Sequence, residues 1–262
     1  MFDFPSISFG IKALDWELAL MNIIFPQHTP HVTLDDLYRL DDHSRSTWRS
    51  NLVTGINGAI EIDNISKRLS GKGDRQVFSL IRAYADGVMV GANTAIAEGY
   101  TSIPPLPENL IKLRQKGDAP VLIVASDNPI KLKSSRLIKS DREIIIVTSK
   151  RARTDVADVV KEFTALPKVI FAGNDRLDLR HAKRELENLG IMHVVLEGGP
   201  NFLGSCLKAS LIEEIAISIA PIIAPNRFGG FLGPALDLPV EDIILKSVVE
   251  DNGTLILLYQ LK

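Results

Sequence analysis

From Trp48 to about Leu196 the chain alternates short apolar runs with segments of helical period. The Val- and Ile-rich runs Gly87–Val90, Val121–Val124, Glu143–Val147, Val169–Phe171 and His193–Leu196 predict strands buried on both faces. Between them, Val77, Leu80, Ile81 and Tyr84 share one face of a helix predicted over Asp74–Tyr84. Thr154 is placed to cap a helix running to about Phe163, and Asp178 to cap another running to Leu189, closed by Gly190. Such βαβ alternation predicts a largely parallel sheet with helices on its faces.

Both ends depart from that pattern. Leu14, Leu18, Met21 and Phe25 recur at helical spacing, which predicts an amphipathic helix followed by a polar connection. The last third holds three strand-like runs, Glu214–Ala220, Ile243–Val249 and Thr254–Leu261. Asp251-Asn252-Gly253 between the last two is a hairpin signal. The expected fold class is therefore α/β, a mixed and mostly parallel sheet flanked by helices and ending in an antiparallel hairpin. With no linker visible, the expectation is one domain over residues 48–262 with a helical extension over 1–47.

Composition narrows the function. The 262 residues are 45% hydrophobic and 24% charged, ordinary for a packed globular protein. A net charge of −2 argues against nucleic acid as a partner. Ile215–Pro225 is the greasiest stretch, and it falls short of the ~20 apolar residues of a membrane span. Met1 to Pro5 carry no basic region ahead of an apolar run, so no signal peptide is expected. The single cysteine, Cys206, cannot form an internal disulfide or a cysteine-based zinc site, and no HExxH is present. No metal and a cytoplasmic location are expected. Cys206 reads as core, and the histidines as surface or capping groups.

Two glycine loops follow strand-like runs. Gly91-Ala92-Asn93-Thr94 follows Gly87–Val90. Glu197-Gly198-Gly199-Pro200-Asn201 follows His193–Leu196 and precedes a helix-like run, Phe202–Ala209. Glycine at a strand end lets backbone approach a ligand, and the next helix offers free N–H groups to a phosphate. Together the loops point to a nucleotide site; singly, each also suits a plain tight turn. Neither is a GxGxxG or a P-loop. Ser149, Arg151 and Arg153, after the run ending at Val147, offer hydroxyl and cation to the 2′-phosphate of NADPH, or form a solvated helix start. Lys131, Lys133, Arg136 and Lys139 read as a wetted surface.

These residues carry a resemblance. Gly55-Ile56-Asn57-Gly58, Leu69-Ser70, Asp74, Phe78, Ile81 to Asp86, Val90 to Thr94 and Ala97 to Tyr100 form one signature. Leu196 to Pro200, Leu211 to Glu214 and Ile219 to Pro221 form a second. In this order they resemble the riboflavin-biosynthesis pyrimidine reductases of the dihydrofolate-reductase-like superfamily, and most of all a stand-alone actinobacterial branch. The resemblance implies reduction by NADPH of 5-amino-6-(5-phosphoribosylamino)uracil, its ribosyl group becoming ribityl, in a homodimer. By the same resemblance Thr54, Arg68, Thr94, Glu98 and Ser126 fall in the NADPH site, with Gly198 to Ser205 around the phosphates. Ser66 and Arg82 hold the phosphorylated pyrimidine, and Glu197 approaches it.

The chain departs from the family at three places. Asn57 stands where the family has a turn aspartate, which makes residue 57 a catalytic candidate beside Glu197. Glu98-Gly99-Tyr100 replaces an Asp-Asp-Pro turn, and the arginine expected after it is absent. The deaminase domain often fused to these reductases is not expected, since HxE and PCxxC do not occur in this sequence. Two alternatives stay open: a reductase of another heterocycle such as a pterin, and a nucleotide-binding paralogue without turnover.

Overall fold

The computed structural model describes residues 21–25, 32–40, 42–63, 65–114, 116–226, 229–230, 232 and 242–262. Its strands are β1 (Asn22–Phe25), β2 (Thr47–Gly55), β3 (Gly87–Gly91), β4 (Val121–Ala125), β5 (Ile144–Thr148), β6 (Lys168–Phe171), β7 (His193–Leu196), β8 (Glu214–Ala220), β9 (Ile243–Asp251) and β10 (Thr254–Leu261). Its helices are α1 (Leu34–Tyr38), α2 (Lys72–Tyr84), α3 (Ala92–Ala97), α4 (Glu108–Ile111), α5 (Arg153–Val160), α6 (Leu179–Asn188) and α7 (Pro200–Lys208).

One sheet runs β1-β9-β10-β8-β2-β7-β3-β4-β5-β6. From β8 to β6 every neighbouring pair is parallel, and β10, β9 and β1 add on antiparallel. The expected fold class is the one found. The inner strands β3, β4 and β5 are apolar almost throughout because helices cover both their faces, whereas β2 carries Arg49, Ser50 and Asn51 and β8 alternates buried with half-buried positions. Val156 and Val159 of α5 pack with Val88, Val90 and Ile146 on one side. Leu186 of α6 and Leu203 and Cys206 of α7 pack with Met89, Ile123 and Val147 on the other. Val77, Leu80 and Ile81 of α2 cover Val249, Ile256 and Leu258 of the antiparallel part. Asn252 and Gly253 both have positive φ, as a two-residue hairpin turn of the favoured hand requires.

The chain lays β3, β4, β5 and β6 outward in succession, then returns to insert β7 between β2 and β3. Such a reversal opens a crevice beyond the carboxyl ends of the parallel strands, where α/β sheets bind ligands.

Four local expectations are corrected. Met21 and Phe25 do not continue a helix: Asn22–Phe25 is an edge strand on β9, where the β-branched and aromatic run Ile23-Ile24-Phe25 suits pairing better than helix. Leu14 and Leu18 lie outside the described residues. The polar connection contains helix α1, capped by the reciprocal Thr33 and Asp36 hydrogen bonds of a capping box. Thr154 does not cap α5, because a 3-10 turn at Lys150–Ala152 runs straight into a helix that starts at Arg153. Asp178 does cap α6, its carboxylate accepting from His181 N–H at 2.9 Å. His193 is buried in β7, with a ring nitrogen 3.3 Å from the carbonyl oxygen of His43, so it is neither a surface nor a capping group. Among the described residues, no helix is long and apolar enough to cross a membrane, and no cluster of metal-binding side chains occurs.

Candidate active site

A cavity of about 940 Å³ opens at the carboxyl ends of β3, β4 and β7. That is toward the upper end of the ~300–1,000 Å³ common for small-molecule sites. Gly91, Ser126 and Glu197 stand at the three strand ends. Asn51, Leu52 and Val53 of β2 form the floor on one side, and α2 forms a wall.

The Gly198-Gly199 turn is built for close approach. Both residues have positive φ, +117° and +77°. A Cβ on Gly199 would sit 2.8 Å from Thr94 Oγ1, so only glycine lets the turn from β7 pass the first turn of α3. A Cβ on Gly198 would meet nothing within 4 Å, leaving open space in front of its backbone. Pro200 then starts α7 at the position where a missing N–H costs nothing. The free N–H groups of that first turn and its dipole favour an anion. The donor set and the glycine cradle fit a dinucleotide pyrophosphate.

Glu197 is held from behind. Arg82 donates Nε to Oε1 and Nη2 to Oε2, both at 2.6 Å, and the Tyr100 hydroxyl donates to Oε2 at 2.9 Å. Glu197 belongs to the cavity lining although its side chain is only 1% exposed. Burial works against the Arg82 charge, but the Glu197 carboxylate outweighs it and holds Arg82 above its ordinary pKa. Burial, and then Glu197, push the Tyr100 phenol well above its usual range, so it stays a donor. The Arg82 guanidinium also lies 4.0 Å from the centre of the Phe78 ring, which lines the cavity.

The first turn of α2 brings a second carboxylate. Asp74 is 5% exposed, lines the cavity, and accepts a hydrogen bond from the Ser70 hydroxyl at Oδ2. Arg75, beside it, donates to the Ser70 carbonyl at 2.6 Å, and Ser79 bonds back to the Arg75 carbonyl at 2.9 Å. The hairpin fixes this turn, since Asp251 Oδ2 accepts from Gly73 N–H at 2.7 Å.

Of the residues singled out in the sequence, the cavity gathers Ser66, Gly91, Thr94, Glu98, Ser126, Glu197, Gly198, Gly199, Pro200 and Asn201. Ser66 and Glu98 also bond each other, through Ser66 N–H and Oγ at 3.1 and 2.9 Å. Six others stand outside its wall. The Thr54 hydroxyl donates within its own turn, to Gly55 and Ala59 carbonyls. Arg68 turns away to pair with Asp63. Arg82 sits one layer back, behind Glu197. The Asn57 amide ties the turn after β2 to Ala224. Ser149 and Arg151 follow β5, one strand beyond β4 and its cavity residues Ser126 to Asn128.

Sequence reasoning gave no role to the Asp74 carboxylate, the Phe78 ring, the Tyr100 hydroxyl, Arg75 or Lys131. Asp74, Phe78 and Arg82 recur at i, i+4 and i+8 on α2, a stripe of two charges around an aromatic ring beside the apolar one, which could have marked this wall. Lys131 is exposed, as expected of a wetted surface, and it also lines the cavity, because a 3-10 turn follows the end of β4.

Comparison with known proteins adds the rest. The family described as RibD C-terminal domain matches residues 49–234. A curated relative from Methanothermobacter thermautotrophicus, 2,5-diamino-6-ribosylamino-4(3H)-pyrimidinone 5′-phosphate reductase, is 28% identical over 177 residues. The match covers 68% of this chain and 78% of the relative. Among solved structures, a pyrimidine reductase-like protein from Corynebacterium diphtheriae superposes with a TM-score of 0.74 at 21% identity, over 88% of this chain and 99% of its own. A diaminohydroxyphosphoribosylaminopyrimidine deaminase/5-amino-6-(5-phosphoribosylamino)uracil reductase from Thermotoga maritima reaches 0.62 at 17% identity, over 84% of this chain and 57% of its own.

Proposed function

The chain belongs to the RibD C-terminal domain family, and from that premise we propose that it reduces the ribosylamino group of a phosphorylated pyrimidine with NADPH. The observation that carries this reading is the cavity, where the Gly198-Gly199 cradle and a wall of polar α2 side chains face one another across the ends of β3 and β7. Gly198 to Asn201, Thr94 and Ser126 would hold the dinucleotide. When bound, its nicotinamide supplies the hydride.

The remaining work falls to the chain's own groups. Reduction at the ribosyl C1′ of the ring-opened imine consumes one hydride and one proton and leaves a secondary amine. Phe78 and Tyr100 offer rings to the pyrimidine. The Arg82–Glu197 pair stiffens the strand end beneath them, so that the reacting carbon is held rather than merely admitted. Lys67 and Arg75 on one wall and Lys131 on the other are the cavity's cations, and they are where phosphate groups are met.

The same reading makes the protein a cytoplasmic homodimer. Burial pushes the Cys206 thiol up to about 12, which suits a structural cysteine in a reducing compartment. On the sheet face opposite α2, Ile217 and Ile219 of β8 lie beside Leu257 and Leu255 of β10, with Val248 of β9 next to Leu257. This apolar patch, bordered by Glu250 opposite Leu255, is partly exposed and self-complementary in kind, as a two-fold interface requires.

The test is loss of nicotinamide absorbance when purified protein meets NADPH and either pyrimidine, the 2,5-diamino-4-pyrimidinone or the uracil. Substrate-dependent loss is expected. NADPH binding without loss on either pyrimidine would refute the reading.

A further inference from the structure

The floor of the cavity holds an amide that the protein itself does not use. The other buried polar side chains of the lining are taken. Arg82 and Tyr100 hold the Glu197 carboxylate, Asp74 takes the Ser70 hydroxyl, and Ser126 Oγ accepts from Asn128 N–H at 3.1 Å. Asn51 is only 6% exposed, and neither its amide oxygen nor its amide nitrogen bonds any of the described residues. The little surface it keeps belongs to the cavity lining. A buried amide without partners is costly, so its partners come with the ligand.

The strand register fixes its place. Ser50 of β2 pairs with Leu196 of β7, so Asn51 stands one step further on, beside Glu197. Asn51 also lies opposite Ala216 of β8, which packs with Val77 and Ile81 of α2. Residues opposite one another in parallel strands share a face, so Asn51 is on the α2 side of the sheet, as the Glu197 carboxylate is. Asp74 and Phe78 of α2 wall the cavity on that side, and the Gly198-Gly199 turn begins one residue past Glu197. Asn51 therefore lies between the wall assigned to the pyrimidine and the cradle assigned to the dinucleotide, where the two ligands meet.

The chemistry of the amide narrows what it meets there. It is uncharged, whereas the phosphates are met by Lys67, Arg75 and Lys131. It sets an acceptor oxygen beside an NH2 donor, which suits two neighbouring hydroxyls, each able to give and to take. In the ring-opened ribosylamine the hydroxyls on C2′ and C3′ form such a pair, next to the carbon that accepts hydride.

We propose that Asn51 holds the ribosyl chain of the substrate, donating to one of the C2′ and C3′ hydroxyls and accepting from the other, and so fixes C1′ for hydride transfer. This rests on the reductase reading and adds to it a sugar contact on β2 that carries no charge and moves no proton.

The test compares kcat/KM, with NADPH saturating, on the pyrimidine that wild type turns over and on its 2′-deoxyribosyl analogue. Wild type is set beside Asn51→Leu, which keeps the bulk of the side chain and removes both polar atoms. Wild type is expected to prefer the ribosyl substrate by about 10–100-fold, the usual worth of a hydrogen bond whose loss leaves a buried partner unmet. Asn51→Leu is expected to lose a similar factor on the ribosyl substrate and to treat the two substrates alike to within about threefold, with its NADPH dissociation constant unchanged. Thermal unfolding reports whether the variant is intact, and the wild-type preference stands as a test without it. Comparable kcat/KM on both substrates in wild type, or an unchanged preference in an intact variant, overturns the contact and leaves the reductase standing. Weakened NADPH binding with the preference retained also overturns it, and moves Asn51 to the nicotinamide. Turnover of neither pyrimidine by wild type overturns both readings.

Discussion

Asn57 and Ala224 hold each other through both polar atoms of the Asn57 amide: Nδ2 donates to the Ala224 carbonyl at 2.7 Å, and Oδ1 accepts from the Ala224 N–H at 3.4 Å. An aspartate here would set an oxygen against that carbonyl. Asn57→Asp is therefore expected to lower stability by about 1–3 kcal/mol. It is expected to bring no gain in turnover, since residue 57 lies outside the cavity wall. Urea unfolding and steady-state rates on the same preparation check both parts.

The Arg82–Glu197 pair is bidentate and nearly dry. Removing the guanidinium leaves a buried carboxylate unpaired, which typically costs about 3–5 kcal/mol. Arg82→Ala should lose most of its stability at neutral pH. Arg82→Lys, which keeps the charge but loses the fork, should fall between it and wild type. The denaturation midpoints of the three proteins give the order.

Gly199→Ala places a methyl group 2.8 Å from Thr94 Oγ1 at a φ that disfavours side chains. NADPH binding should weaken by about tenfold or more, some 1.4 kcal/mol. Gly190 is the control. Its φ is +75°, a Cβ there meets nothing within 4 Å, and it closes α6 away from the cavity. Gly190→Ala should cost stability and leave the NADPH dissociation constant unchanged, as fluorescence titration would show.

Burial holds the His193 imidazole below its ordinary pKa, although Asp86 and the His43 carbonyl pull the other way and His43 and Lys116 add to the depression. The unfolded chain then takes up a proton, near about pH 6.5, that the folded chain refuses. Stability should fall as pH drops through that value and level off once the folded imidazole also protonates. His193→Gln should flatten this part of the profile. An equal slope in both proteins would assign the pH dependence to other groups.

If the patch at Ile217, Ile219, Leu255 and Leu257 joins two copies, Leu257→Asp puts two charges into the interface. Analytical ultracentrifugation should then show a monomer, while the far-ultraviolet spectrum stays that of the wild type. A dimer that survives the substitution would place the contact elsewhere.

Strands β3 to β7 were legible because strands buried on both faces are apolar, as Ile144 to Val147 are, whereas the polar run Arg49-Ser50-Asn51 hid β2. Asp178 and Asn252-Gly253 were legible because cap and turn chemistry are local. The edge strand Asn22–Phe25 was not, since its pairing is decided by β9, more than two hundred residues away. At the site, the glycine loops announced themselves through strand-end position. Arg82 and Asn57 were found as residues, but their places were not foreseen. Whether a guanidinium faces a ligand or the back of Glu197 depends on side-chain direction, which spacing along α2 does not encode.

The insertion of β7 between β2 and β3 also bears on how the protein is made. β2 has no sheet neighbour in the chain that follows until β7 and β8 emerge; Arg49 meets Glu214 across 165 residues. At about 5–20 residues per second, ribosomal synthesis leaves this strand waiting on the order of ten to thirty seconds. Its edges are exposed throughout, and the loop that must close is long. A nascent chain arrested before residue 193 should therefore engage chaperones through Leu52 and Val53, the residues that later floor the cavity.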